Sequence, residues 1–339
     1  MELVLILLVI SWIVFNYIHE LGHLVAARMV GIGVDRMFYG VGPIAHRTTS
    51  ASGTENLFGV LPVASVHFNK ASYESATAWR RLFASSAGPL ANFGCTFLLL
   101  AAAYLMSPIA PGAFLDVVDD KGVAATAGLQ DGDRIVGVDG ADTETWGDVG
   151  IALLGRAGDT GTIDLTVARE GDLIDYAFEI EEWQSDVAWI DMYEYFGITR
   201  KNVDAEVSGN PFVGIFSAFV KTVEIGWSTA IGGFKMVFGS ISVMNFGGGM
   251  QLTQLGLESS NLDVAAVLML LGLFSLGFGV INLLPGPVVD GLAMIYAAFE
   301  TIVRRPIPEV ASKWLFVVGS ILAFGPIPLC ILHDVMRFT

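Results

Sequence analysis

Charge is scarce in this sequence: Asp, Glu, Lys and Arg make up 15% of its 339 residues, against roughly 25% in ordinary soluble domains. A soluble enzyme is disfavoured on that ground. Basic residues are scarcer still, 18 against 34 acidic ones, and nowhere do they form the stripe that phosphate neutralisation needs. Nucleic acid is therefore excluded as a partner. Cysteine is almost missing. Cys95 and Cys330 both fall in apolar runs, which rules out a disulfide framework and a cysteine zinc site.

Apolar residues are abundant, at 53%, and they are gathered into runs. Four of these runs, Leu3 to Ala27, Ala87 to Met106, Val264 to Leu284 and Trp314 to Leu332, reach the ~20 residues that cross a ~30 Å hydrocarbon core as a helix. The first lacks a basic start and a small-residue cleavage site, and it stays apolar past His23, so it reads as a retained helix rather than a signal peptide. Arg28, Arg36, Arg47, Lys70, Arg80 and Arg81 lie between the first two runs, and Arg304, Arg305 and Lys313 between the last two. Both loops are expected in the cytoplasm by the positive-inside rule, with the termini outside. Met37 to Pro43 and Leu57 to Phe68, separated by a Ser/Thr/Gly turn, predict a β-hairpin in the first loop. Pro211 to Ser240 is apolar but interrupted by Lys221, Glu224 and Lys235, and reads as a helix lying in the interface.

The formal charge of −16 belongs to one block. Pro111 to Glu206 holds 22 acidic and 6 basic residues, whereas the rest of the chain is balanced. Within that block, Val123 to Gly140 predicts a helical turn of small residues, a Gly-rich loop, an alternating strand and a turn, and Ile163 to Arg169 a further alternating strand. The stretch resembles a PDZ domain of the bacterial protease type. That resemblance implies a module that adds an extended peptide ligand to a sheet edge, or else one that only blocks access from outside.

The chemistry centres on His19-Glu20-Leu21-Gly22-His23. On a helix, residues i and i+4 share a face, so both imidazoles can ligate one metal with Glu20 beside them; zinc suits such a site best. Three ionisable side chains near the end of a bilayer span are costly and by default functional. A catalytic zinc needs a third ligand and an open position. The best source is Asn282 to Gly291, where Pro285, Gly286 and Pro287 break the third run and place Asp290 at the break. Asp290 alone could equally cap the helix that follows it.

These motifs together resemble the site-2 protease family of intramembrane zinc metalloproteases, especially the regulator-of-sigma-E protease group. The likeness includes His19 to His23, the glycine-rich Phe38-Tyr39-Gly40-Val41-Gly42-Pro43, and Ala87-Gly88-Pro89-Leu90-Ala91-Asn92-Phe93. It continues through Asn282 to Gly291 and Glu300 to Pro306. By that resemblance His19, His23 and Asp290 ligate one Zn²⁺ per chain and Glu20 is the catalytic base. Asn282, Pro285 and Pro287 would hold the substrate strand, and Gly88, Pro89 and Asn92 would pack helices closely beside the site. The chain departs from the family at Val63-Ala64-Ser65-Val66-His67, in the substrate-facing strand, and at Gly247-Gly248-Gly249-Met250.

The expected protein is polytopic and α-helical, with about four transmembrane helices, a membrane re-entrant β-hairpin and an inserted α+β PDZ domain. Its expected segments are 1–111 (two spans, zinc motif and β-loop), 112–200 (the extracytoplasmic PDZ domain), 201–263 (interfacial) and 264–339 (two spans with the Asp motif). Its partners would be the lipid bilayer, single-span membrane protein substrates and a peptide ligand of the PDZ domain. Two alternatives remain: a membrane zincin whose third ligand is a glutamate such as Glu300, and a non-catalytic receptor.

Overall fold

The computed structural model describes residues 2–106, 112–118, 123–143, 149, 152–153, 161–180, 198–200, 211–237, 264–286 and 289–324. The chain divides into two compact units, Met1–Ala103 with Thr253–Pro328, and Tyr104–Leu252 with Leu329–Thr339.

The first unit opens with α1 (Glu2–Met29), which covers the first apolar run. Helix α1 leads into β1 (Val34–Thr49) and β2 (Glu55–Phe68). The strands are longer than the sequence pattern predicts, because they fold in half. Arg36, Met37 and Phe38 are in register with His67, Val66 and Ser65, and also with Glu55, Asn56 and Leu57 as both numberings rise together. The two halves of the hairpin therefore lie side by side as a four-segment sheet. The fold line passes through Gly40 and Gly59, where a Cβ on Gly59 would lie 2.5 Å from the Gly40 carbonyl carbon. Pro43 and Pro62 stand at the same bend, outside the paired register, where no ladder donor is required of them.

A short α2 (Lys70–Ser75), capped by Asn69, precedes α3 (Ala78–Met106). Helix α3 begins at Ala78, ahead of the apolar run that starts at Ala87, and Arg81 in its first turn pairs with Glu300 at 2.7 Å. The remaining helices of this unit are α6 (Val264–Leu283), α7 (Asp290–Val303) and α8 (Glu309–Phe324). Among the described residues, α3 is long and apolar enough to cross a membrane, and Val267–Leu283 is a shorter apolar helix.

The second unit holds a sheet in the order β7-β6-β4-β3-β8, built from β3 (Ala113–Val118), β4 (Arg134–Val138), β6 (Gly161–Arg169), β7 (Asp172–Ile180) and β8 (Ile198–Arg200). The short β5 (Ala141–Asp142) pairs with β4, and α4 (Val123–Ala127) is the small-residue turn seen in the sequence. Asp139-Gly140 and Glu170-Gly171 are two-residue hairpin loops with positive φ throughout, the geometry whose twist matches that of paired strands. Ile163, Leu165 and Val167 alternate inward and join Leu115, Ile135, Val138 and Phe178 in the core.

Helix α5 (Pro211–Val237) also belongs to this unit. It buries Ala218 and Thr222 and exposes Phe212, Phe216, Phe219, Val223 and Trp227, spaced three and four apart so that they share one face. The Gly247-Gly248-Gly249-Met250 departure, residues 325–332 of the fourth apolar run and Pro287 lie outside the described residues.

Candidate metal centre

His19 and His23 lie in the second half of α1, one helical turn apart and both buried, at 3% and 5% exposure. Asp290 reaches them from the start of α7. Helix α6 stops at Leu283, and Pro285, which cannot donate to a helical ladder, helps turn the chain so that α7 begins at Asp290. Val289 is the N-cap of α7, and no side chain caps the helix. Capping is thus not the role of Asp290: its Oδ2 lies 2.8 Å from His19 Nε2 and 3.1 Å from His23 Nε2, and the two Nε2 atoms are 3.2 Å apart.

This triangle suits a cation. Among the described residues these three form the group whose ligand atoms converge, all within 4.8 Å. Tetrahedral Zn²⁺ with bonds of ~2.0–2.1 Å places neighbouring ligands ~3.3 Å apart, close to the observed spacing. His23 Nδ1 lies 2.8 Å from the Ala84 carbonyl. Since a carbonyl can only accept, His23 carries its proton on Nδ1 and turns the Nε2 lone pair to the centre. Space is kept open from α3. A Cβ on Gly88 would overlap both Nε2 atoms, so the glycine of the second motif is an opening beside the ligands, beyond the close helix packing expected of it.

Glu20 is half-buried beside the triangle, and its Oε2 accepts the Val66 amide at 2.7 Å. One turn earlier, Asn16 Oδ1 accepts the Ala64 amide at 2.6 Å. The spacing explains the match: four residues of helix rise ~6 Å and two residues of strand ~6.6 Å. The Ala64–Val66 edge of β2 is thereby docked on α1, and the strand expected to face substrate has two of its amides engaged by the helix that carries Glu20.

Other sequence-based candidates lie elsewhere. Glu300, the alternative third ligand, pairs with Arg81 at 2.7 Å, whereas Asp290 faces the two imidazoles. Asn282 donates from Nδ2 to the Phe278 carbonyl of its own helix at 2.9 Å, and Pro285 lies where Gly319 of α8 packs against its carbonyl. His46 and His67 are exposed against Phe58 and Phe38. The sequence reading missed the Ala84 carbonyl and the Val66 amide, and gave Asn92 a packing role only, whereas its amide nitrogen lies 3.3 Å from His19 Nδ1. Only Asn92 left a signal, as a lone amide inside an apolar span.

The family model for peptidase family M50 matches residues 5–326. The chain belongs to peptidase family M50. Members of this family are membrane proteases, and the M50 chain here is a peptidase rather than the receptor kept as an alternative. It is 27% identical over 352 residues to a Mesorhizobium japonicum protein whose name describes it as a zinc metalloprotease, with 94% of each chain covered. A similarly named Agrobacterium fabrum protein is 26% identical, covering 97% of this chain and 94% of its own length. The regulator of sigma E protease of Salmonella typhimurium is 22% identical over 432 residues, covering 94% and 95%.

Proposed function

We propose that this M50 peptidase is an intramembrane zinc endopeptidase of the site-2 protease type, which cleaves unwound transmembrane segments of membrane-anchored, single-span substrates. The observation that carries the reading is the convergence of His19, His23 and Asp290 beside Glu20. His19, His23 and Asp290 hold one Zn²⁺. Bound there, zinc supplies Lewis acidity towards a peptide carbonyl and towards water.

The chain's own groups do the rest. Glu20 accepts a proton from the attacking water and returns it to the leaving amine. A substrate helix hides its peptide bonds in the i to i−4 ladder and must unwind first. Its freed backbone groups are satisfied by pairing with the β2 edge, which displaces Asn16 and Glu20 from the Ala64 and Val66 amides as substrate arrives. The Asn282–Pro287 break carries Asp290 and positions the strand.

Multi-pass insertion is supported by apolar surface that water would not tolerate in such amounts. Ile6, Val9, Ile10, Val14 and Val25 of α1, Trp314, Phe316 and Val317 of α8, and the stripe on α5 are all exposed. The first stretch faces lipid as one of about four spans, and α5 lies in the interface. Residues 112–200 form an extracytoplasmic PDZ domain that binds a peptide or filters substrates by size; its helical turn, Gly-rich loop and strands between Val123 and Arg169 support that reading.

The test is a gel-based cleavage assay with a single-span substrate. Glu20→Gln is expected to keep stoichiometric zinc and lose cleavage; normal turnover in that variant would sink the mechanism.

A further inference from the structure

Asn92 is fully buried in α3, and its backbone carbonyl lies 3.1 Å from the Ser275 hydroxyl and 2.9 Å from the Thr96 hydroxyl. The residue is thereby tied to α6 as well as to its own helix. Its side-chain amide reaches across to α1, where the nitrogen lies 3.3 Å from His19 Nδ1, while Oδ1 is buried with no partner among the described residues. Phe278 meets the same imidazole edge to face at 5.6 Å, so the His19 ring is bounded by Asn92 at one nitrogen and by an aromatic edge.

A buried carbonyl oxygen without a donor is costly, by roughly 1–3 kcal/mol. The amide's O and N are nearly the same size, so the group can turn about its terminal bond within the same space. The state of His19 decides which way it faces. A neutral imidazole that gives its Nε2 lone pair to a metal must carry its proton on Nδ1. An NH₂ group cannot accept that proton, but a carbonyl oxygen can.

We propose that Asn92 is a positioning residue for the metal centre: with zinc bound, its Oδ1 accepts the His19 Nδ1–H, fixing the tautomer and plane of the ring. His23 has the equivalent support in the Ala84 carbonyl. Both imidazoles are then oriented from α3, on either side of the opening at Gly88. The inference rests on His19 being a ligand, which loss of stoichiometric zinc in His19→Ala tests separately.

The experiment measures zinc affinity by chelator competition on purified full-length protein, with thermal unfolding of the metal-free form as a control for packing. Asn92→Leu removes the acceptor at similar size and is expected to weaken zinc about 10- to 100-fold, while Asn92→Asp, which keeps an acceptor, holds wild-type affinity or better. Equal affinity in wild type and Asn92→Leu overturns the proposal, as does an equal loss in both variants with unchanged metal-free stability. If the variants do not fold, ¹⁵N-histidine NMR of the zinc-loaded wild type decides. A slowly exchanging proton on His19 Nδ1 supports the assignment, and a proton on Nε2 overturns it.

Discussion

Asp133 and Asp290 are both carboxylates withdrawn from water, one in each unit, and their surroundings differ in a way that separates structure from chemistry. Asp133 is 1% exposed and complete. Arg169 grips it through Nε at 2.6 Å and Nη2 at 2.7 Å, and the Gln130 amide donates to it at 2.9 Å. The spare Arg169 donor capacity goes to the Gly128 carbonyl and the Tyr176 hydroxyl. Such a knot ties the Gly128–Asp133 loop to β6 and β7 and leaves nothing over for a ligand. Asp290 faces two imidazole nitrogens, one of which, His23 Nε2, presents a lone pair because its proton is on Nδ1. No cationic side chain joins them among the described residues. An extra proton or a metal cation reconciles the lone pairs, which sets this carboxylate apart from one held by an arginine.

Breaking each cluster should have different consequences. Asp290→Ala is expected to lose stoichiometric zinc and to lower cleavage by more than the about 100-fold that losing an outer partner costs, while Glu300→Ala keeps both. Metal analysis with the cleavage assay checks this, and the reverse pattern would make Glu300 the ligand. Gly88→Ala places a methyl group in the ligand space and should weaken zinc at least about tenfold. Gly94→Ala, on the same helix with nothing within 4 Å of the new Cβ, should bind as wild type does in the same chelator competition.

Asp133→Ala should leave zinc unchanged. It removes the partner of a partly exposed guanidinium and is expected to destabilise the acidic unit by about 1–3 kcal/mol, read by hydrogen exchange in β6 and β7. The smallest effect concerns pH. Asp133 holds the Arg169 guanidinium well above the usual arginine range, mainly through their hydrogen bonds. Stability from a raised group is complete below its unfolded pKa and is lost only as pH rises through the folded one. The gap in exchange stability between wild type and Asp133→Ala should therefore stay constant from about pH 7 to pH 11; a gap that closes over that interval would assign the stabilisation to another group.

The sequence determined whatever is local. The i, i+4 spacing of His19 and His23 puts both on one helical face, the prolines after Leu284 end a helix, and alternation at Ile163, Leu165 and Val167 makes a half-buried strand. Periodicity and turn chemistry act over a few residues and can be read directly. The sequence also singled out Asp290, but only on the strength of its motif, leaving metal binding, helix capping and a rival Glu300 unresolved. Tertiary structure decided the rest, because each choice depends on which helices meet. It gave Glu300 to Arg81 and Asp290 to the imidazoles, and it folded the β1–β2 hairpin in half at Gly40 and Gly59 so that Ala64 and Val66 met Asn16 and Glu20. It also set Asn92 against His19. A backbone amide or carbonyl has no letter of its own in a sequence, so the Val66 and Ala84 contacts become visible only once packing has placed them.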